Sequence, residues 1–279
     1  MVEIQIPTFV KWVGGKTQLL QQYSHLYPKK IDHYFEPMVG SGAVFFFIQK
    51  RYKPNYTMIS EINKDLINLY KQVRDNVEFL IPLLKDFKIK HTQNPKEFYY
   101  KMRDKFNTTK DPFVKSSLLL YLNKTCFNGL YRVNSKGEFN VPVGNYKNPA
   151  IVQDKKLRIA SKLLQDVEIK KMSFGKIIDY TKEGDFIYFD PPYQPISKTS
   201  SFTSYQKTNF SDKQQKKLAN VFKKLDEKNC KVMLSNSEHP LILELYKNYD
   251  IKIVKAKRMI SCNGKGRGPI NELVIRNYK

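Results

Sequence analysis

The sequence predicts an α/β fold, a parallel sheet covered by helices on both faces and interrupted by a helical and β-hairpin insert. Three observations predict it. Short apolar, β-prone runs alternate with helical segments from His33 to Ser60 and again from Val167 to Arg276. Between those two blocks no strand of the parallel-sheet type can be found. The strands end at Glu36-Pro37, Glu61-Ile62-Asn63 and Asp190-Pro191-Pro192-Tyr193, and the carboxyl ends of such strands are where open α/β sheets bind ligands.

Each element has a local reason. Trp12 to Tyr27 opens on Gly14-Gly15 and carries Leu19, Leu20, Tyr23, Leu26 and Tyr27 at helical spacing, so a glycine loop should lead into a helix. His33 to Phe35 is aromatic and β-prone. Gly40-Ser41-Gly42 then turns the chain into Ala43–Gln49, apolar enough for a buried helix. Tyr56 to Ser60 is a second strand. Asp65 to Leu84 reads as a long helix, followed by polar helical sequence to Leu122 with breaks at Pro82, Pro95 and Pro112. Tyr131 to Val141 predicts a hairpin turning at Ser135-Lys136-Gly137. After Pro149, strands are expected at Val167–Lys171, Asp185–Asp190, Lys231–Ser235, Asp250–Ala256 and Glu272–Arg276. Helices are expected near 153–165, 174–181, 211–228 and 239–248.

Composition narrows the function. The 279 residues, 41% hydrophobic, suffice for one large domain or a domain with an insertion. Lys and Arg number 49 against 26 Asp and Glu, a formal charge of +23, with a pI near 9.7. That excess points to a polyanionic partner, although lysine-rich coding alone would leave much of it as solvated surface. No apolar run is long enough to span a membrane, and residues 1–10 lack a signal-peptide pattern. Cys126, Cys230 and Cys262 are scattered, as are His25, His33, His91 and His239, so neither a disulfide framework nor a metal site is expected and a reducing cytoplasm fits.

Three constellations carry chemistry. In Phe35-Glu36-Pro37-Met38-Val39-Gly40-Ser41-Gly42, a glycine turn between strand and helix lets a ligand approach the backbone. Glu61 closes the next strand, where an acid can accept ribose hydroxyls. The third glycine of a dinucleotide site is missing, so a nucleoside without a pyrophosphate is expected, and S-adenosylmethionine fits. In Lys11-Trp12-Val13-Gly14-Gly15-Lys16-Thr17, a phosphate-cradling P-loop would need glycine at position 10, which is Val10, and a strand leading in. The better reading places Trp12 and Lys16 beside the cofactor. In Asp190-Pro191-Pro192-Tyr193, the carboxylate and the Pro191 carbonyl can each accept one hydrogen of an exocyclic amine, while Tyr193 stacks on the base that carries it.

Lys11–Lys16, Phe35–Gly42 and Asp190–Tyr193, in that order with an insert before the last, resemble the Dam-type, D12-class N6-adenine DNA methyltransferases of the alpha class. The segments Phe127–Arg132 and Gly137–Pro142 are similar to the recognition hairpin of members that read GATC. The resemblance implies a Rossmann-like S-adenosylmethionine-dependent methyltransferase sheet in residues 1–65 and 147–279, with a target-recognition insert in 66–146. It implies Asp190, Pro191, Pro192 and Tyr193 as catalytic residues. Trp12, Lys16, Phe35, Glu36, Pro37, Gly40, Ser41, Gly42, Glu61 and Asp190 would line the cofactor. Double-stranded DNA would be contacted by Lys11 at an outer guanine, by Arg132 at guanine in the major groove, and by Leu130 and Pro142 through apolar contacts. Phe127 stands where a member has a wedging tyrosine, and Asn128 fills the space left by the extruded adenine's partner.

Three departures stand out: Glu61 where several members have aspartate, Ser173 where some place an aspartate against the adenine, and Asn145 after the hairpin. Ile196–Phe210 is expected to form a loop over the site, and Lys255–Arg267 a basic loop gripping phosphates. A monomer acting on each strand in turn fits, with a restriction endonuclease as a functional companion. The rival readings are a cytosine-N4 or RNA methyltransferase and an inactive DNA-binding relative.

Overall fold

The computed structural model describes residues 5–194, 210–256 and 270–279. Among these, seven strands form one sheet: β1 (His33–Glu36), β2 (Tyr56–Glu61), β3 (Val167–Lys171), β4 (Phe186–Phe189), β5 (Lys231–Ser237), β6 (Asp250–Ala256) and β7 (Ile270–Arg276). Their spatial order is β3-β2-β1-β4-β5-β7-β6. Strands β1 to β5 pair in parallel, but β7 runs antiparallel to both β5 and β6, so the wholly parallel sheet expected from the sequence is corrected to a mixed one. The reason lies in the connection. The sequence pattern places no helix between β6 and β7, and without a crossover two neighbouring strands run antiparallel.

Alternation along each strand feeds two cores. Tyr34, Ile59, Phe186, Tyr188, Met233 and Val274 face one; Phe35, Met58, Ile187, Phe189, Leu234 and Leu273 face the other. The first core is covered by α2 (Ala43–Arg51), α3 (Lys64–Gln93) and α6 (Asp154–Leu164), the second by α7 (Asp212–Glu227) and α8 (Pro240–Leu245). The order reverses between β1 and β4, the neighbours that carry Glu36 and the Asp190 bend at their ends.

Several boundaries differ from expectation. The helix after Gly14-Gly15 shrinks to a 3-10 turn, Thr17–Leu19, and a single α-turn, α1 (Leu20–Tyr23). Leu26 and Tyr27 are buried all the same, so their spacing records burial rather than helix. Pro82 does not break α3, which continues to Gln93; the non-helical residue is Asn76 (φ −131°). There the Arg74 carbonyl accepts hydrogen bonds from Ser161 Oγ and Gln165 Nε2, both at 3.0 Å, so side chains near the end of α6 satisfy a group that the kink releases. Residues 174–181 hold a 3-10 helix, Phe174–Asp179, and α8 is shorter than the 239–248 expected.

The insert continues through α4 (Pro95–Thr108) and α5 (Pro112–Thr125), each opening on its proline at the first helical position. Asp111 caps α5 by accepting from the amides of Phe113 (2.8 Å) and Val114 (3.0 Å). The apolar core runs without a break from the sheet through Leu69, Tyr70 and Val73 of α3 to Leu118–Leu122 of α5. The hairpin forms around Gly137 (φ +81°), but its arms make one bridge, Val133 with Phe139, rather than a ladder. Asn107 of α4 completes the pairing by donating to the Phe139 carbonyl (3.1 Å) and accepting from its amide (2.8 Å).

Gly42 precedes α2 at φ +70°, and a Cβ there would sit 2.5 Å from the Tyr70 hydroxyl. Gly42→Ala should therefore cost at least about 1–2 kcal/mol of folding stability from backbone strain alone. Urea denaturation should show a lower midpoint at unchanged slope; an unaltered midpoint would contradict this geometry.

Candidate active site

The crevice sits where β1 and β4 part. Asp190 follows β4, and the Lys16 ammonium meets its Oδ1 at 2.8 Å, with the Lys16 side chain 3% and the Asp190 side chain 20% exposed. Ser235 of β5 donates to the same oxygen at 3.0 Å, and the Tyr188 hydroxyl meets Ser235 Oγ at 2.9 Å. Lys16 Nζ also donates to the Gly14 carbonyl (2.6 Å) and lies 4.6 Å from the centre of the Tyr193 ring. Lys16, far from the bend in sequence, thus joins the glycine loop, the carboxylate and the aromatic face.

Other residues fix the bend. Gln215 of α7 donates to the Pro192 carbonyl (3.2 Å) and is itself held by Asn236 (3.1 Å). Ser237 donates to the Gln194 carbonyl (2.7 Å), and the Tyr193 hydroxyl donates to Glu272 of β7 (2.6 Å). Sequence reasoning missed all of these except the bend itself. Their signal was polar residues in buried settings: Ser235, Asn236 and Ser237 close an apolar strand, and Gln215 is wholly buried on a helix.

The glycine turn is equally constrained. The Val39 amide donates to the Ser60 carbonyl (3.2 Å) and Gly42 to Val39 (2.7 Å), while Tyr70 holds the Gly40 carbonyl (3.0 Å). Trp12 lies against Gly40, where a Cβ would stand 3.1 Å from its Cδ1, so a side chain there would press on the indole. Ser41 and Pro37 are buried, Glu36 accepts from the Tyr34 hydroxyl, and the Phe35 ring belongs to the core beneath the sheet rather than to the crevice. Glu61 accepts from its neighbours' amides, Ile62 (2.8 Å) and Asn63 (3.3 Å).

Burial pushes the Glu36 carboxyl well above its ordinary range, and the Tyr34 hydrogen bond opposes this. Burial likewise raises Asp190, with Lys16 and Ser235 pulling it back, and raises Glu272, with Lys16 opposing. Glu61 is raised by burial against the amides of Asn63, Ile62 and Gly40. Three of these acids, Glu36, Asp190 and Glu272, are held back from a larger rise by the Lys16 ammonium.

A second strip lies around the hairpin root. Asn123, buried at the end of α5, accepts from the Lys11 amide (2.7 Å) and donates to the carbonyls of Lys11 (2.9 Å) and Gly129 (3.0 Å). Lys11 packs so closely on Gly129 (φ +65°) that a Cβ there would overlap it. Phe127 is exposed, its amide bonded to the carbonyl of exposed Pro142 (2.9 Å); Asn128 is exposed at φ +53°, and Leu130 is half-buried against the core. Arg132 donates through Nε to Asn140 Oδ1 (2.7 Å) and through Nη2 to the Asn140 carbonyl (3.2 Å). Asn145 is exposed, and Ser173 precedes the 3-10 helix after β3. Most of the two loops expected at 196–210 and 255–267 lies outside the described residues. Among those residues, no group of three His, Cys, Asp or Glu could hold a metal, and no helix is long and apolar enough to cross a membrane.

The family model of D12 class N6 adenine-specific DNA methyltransferases matches residues 12–260, a span that includes both the glycine turn and the Asp190 bend. The chain belongs to this family. It is 46% identical to the type II methyltransferase M.MjaIII of Methanocaldococcus jannaschii, over 99% of this chain and all of that protein. It is 42% identical to the type II methyltransferase M1.LlaDCHI of Lactococcus lactis subsp. cremoris, over 99% and 97% of the two chains. It is 36% identical to the DNA adenine methylase of Escherichia coli K12, over 95% and 93%. The methyltransferase therefore acts on N6 of adenine in DNA with S-adenosylmethionine as donor, which sets aside the cytosine-N4, RNA and inactive readings. The crevice fits that donor chemically, because a sulfonium and an ammonium supply the positive charge that the carboxyls lack.

Protonation removes the negative charge of these carboxyls, and with it their attraction for a cation. Their raised pKa values mean that protonation begins at a higher pH than for ordinary carboxylates near about 4. Cofactor affinity should be full above those values and fall as pH drops through them. Calorimetric titration with S-adenosylmethionine from about pH 8 to pH 5 would read this; a constant affinity would contradict it.

Proposed function

We propose that the methyltransferase modifies adenine within GATC, swings that adenine out of the duplex, and holds its amino group between the Asp190 carboxylate and the Pro191 carbonyl. The observation that carries this reading is the double anchoring of Asp190 Oδ1 by Lys16 and Ser235. With both bonds on one oxygen, the other is oriented toward an incoming N–H. Two acceptors on the two amino hydrogens turn the nitrogen lone pair out of conjugation with the ring. S-adenosylmethionine supplies an electrophilic methyl carbon. The Tyr193 ring stacks on the extruded base, a contact worth about 1–3 kcal/mol. Extrusion is required because the amine inside the base stack cannot reach the crevice. Placement and electrostatics, rather than a strong base, supply the rate.

In this reading Trp12, Lys16, the Phe35–Gly42 turn, Glu61 and Asp190 enclose the cofactor. Residues 1–65 and 147–279 act as the catalytic part and 66–146 as the recognition part. Phe127 wedges into the stack, Asn128 fills the gap, Lys11 and Arg132 read guanines, and Leu130 and Pro142 pack on bases. The Arg132 fork suits guanine O6 and N7, and its anchoring to Asn140 supports a fixed approach. A monomer treats each strand of the palindrome in turn, and the type II names of the relatives suit a companion endonuclease.

Asp190→Ala should abolish methylation of plasmid DNA by labelled cofactor while DNA binding stays measurable; normal turnover would refute the role given to Asp190. Arg132→Ala should relax discrimination at one guanine by about 1–3 kcal/mol, read from rates on substituted oligonucleotides. Unchanged site preference would remove Arg132 from readout, and resistance of treated plasmid to methylation-dependent cleavage at GATC would remove that sequence as the target. With a formal charge of +23, the chain should bind DNA with a steep inverse dependence on salt; a flat response would contradict phosphate gripping.

A further inference from the structure

Directly paired residues on antiparallel strands project to the same side of the sheet, as do residues two apart along one strand. In the β5–β7 pair, Ser237 is opposite Glu272 and Ser235 opposite Val274. Ser235, Ser237 and Glu272 therefore share a face, and all three end on the Asp190 bend: Ser235 on the carboxylate, Ser237 on the Gln194 carbonyl, Glu272 on the Tyr193 hydroxyl. Asn236, on the opposite face, donates to Gln215 of α7 (3.1 Å) and accepts from the Gln194 amide (3.5 Å).

A ring stacked on a base from one side needs something to set its plane, and here the Tyr193 ring is pinned at two points. Lys16 Nζ lies 4.6 Å from the ring centre, and the hydroxyl is tied to Glu272 Oε2 at 2.6 Å. Glu272 comes from β7, the strand whose reversed direction the sequence did not foretell, and it precedes the apolar run Leu273-Val274-Ile275. An acid at the crevice end of an interior strand, half-buried and with its carboxyl on a tyrosine of the catalytic bend, is hard to explain by packing alone.

We propose that Glu272 is a positioning residue for methyl transfer: by accepting the Tyr193 hydroxyl, it locks the ring in the plane against which the extruded adenine stacks. The inference rests on the stacking role given to Tyr193 above. It attributes the effect to the acceptor's position, so an amide that keeps the acceptor should keep the function.

The test compares Glu272→Ala, Glu272→Gln, Tyr193→Phe, Tyr193→Ala and the double variant Glu272→Ala/Tyr193→Phe. Single-turnover methylation is measured on a GATC duplex. Emission is measured from a duplex with 2-aminopurine at the target position, and DNA affinity by anisotropy. Glu272→Ala and Tyr193→Phe should each slow transfer about tenfold, the scale of one lost hydrogen bond at a placed group. Both should brighten the 2-aminopurine, whose stacking ring is no longer locked in plane, without weakening DNA binding. Glu272→Gln should restore rate and emission, and the double variant should be no worse than either single one.

Full rate and unaltered emission in Glu272→Ala would overturn the proposal. So would losses that multiply in the double variant, or a Glu272→Gln enzyme as slow as Glu272→Ala. If Glu272→Ala does not fold, Tyr193→Phe decides, since full activity without the hydroxyl leaves Glu272 nothing to hold. Full activity in Tyr193→Ala would instead sink the stacking role itself. A slow Tyr193→Ala with normal Tyr193→Phe and Glu272→Ala would sink only the role given to Glu272.

Discussion

The contact between Lys16 and Asp190 is the point through which the rest of the crevice is organised. An ion pair this deep gains little net stability, since the desolvation of both charges offsets most of their attraction. What it fixes is position. It ties the glycine loop to the end of β4, engages one oxygen of the Asp190 carboxylate, and lays a cation on the Tyr193 ring. Glu36 and Glu272 respond to the same ammonium, so moving Lys16 would change the electrostatics of three acids at once.

Much of this arrangement was legible in the sequence because it obeys local rules. Apolar runs ending in acid or proline announced the strands and where they stop, and Gly40-Ser41-Gly42 announced the turn before α2, where Gly40 and Gly42 adopt positive φ. What stayed hidden depends on contacts between distant segments. The pairing of Asn123 with Lys11, of Glu272 with Tyr193 and of Gln215 with Pro192 each joins residues that no periodicity links. The reversal of β7 was missed because the strand is buried on both faces, so its continuous run Leu273-Val274-Ile275 reads like a parallel strand. Pro82 misled for a related reason: its cost was weighed without the neighbouring helix, α6, whose side chains stabilise the kink at Asn76 instead.

The hairpin shows the same division. Its turn residues announce themselves, with Asn134 accepting from the amides of Lys136 (2.9 Å) and Glu138 (3.0 Å) and Gly137 in the left-handed region. Its support does not, because the amide of Asn107 on α4 substitutes for a missing strand edge. A two-stranded ribbon with a single bridge is marginal alone. Here a helix side chain, Asn107, supplies the hydrogen bonds that a third strand would otherwise make.

The unbroken hydrophobic interior linking the sheet to α5 by way of α3 sets a limit on how such a molecule can diversify. The helices beneath the hairpin cannot be lifted out as a cassette without exposing Tyr70 and Val73, and Tyr70 also holds the Gly40 carbonyl of the glycine turn. Substitutions on the exposed ribbon leave that interior intact, whereas changes in the helical floor are felt as far as the sheet.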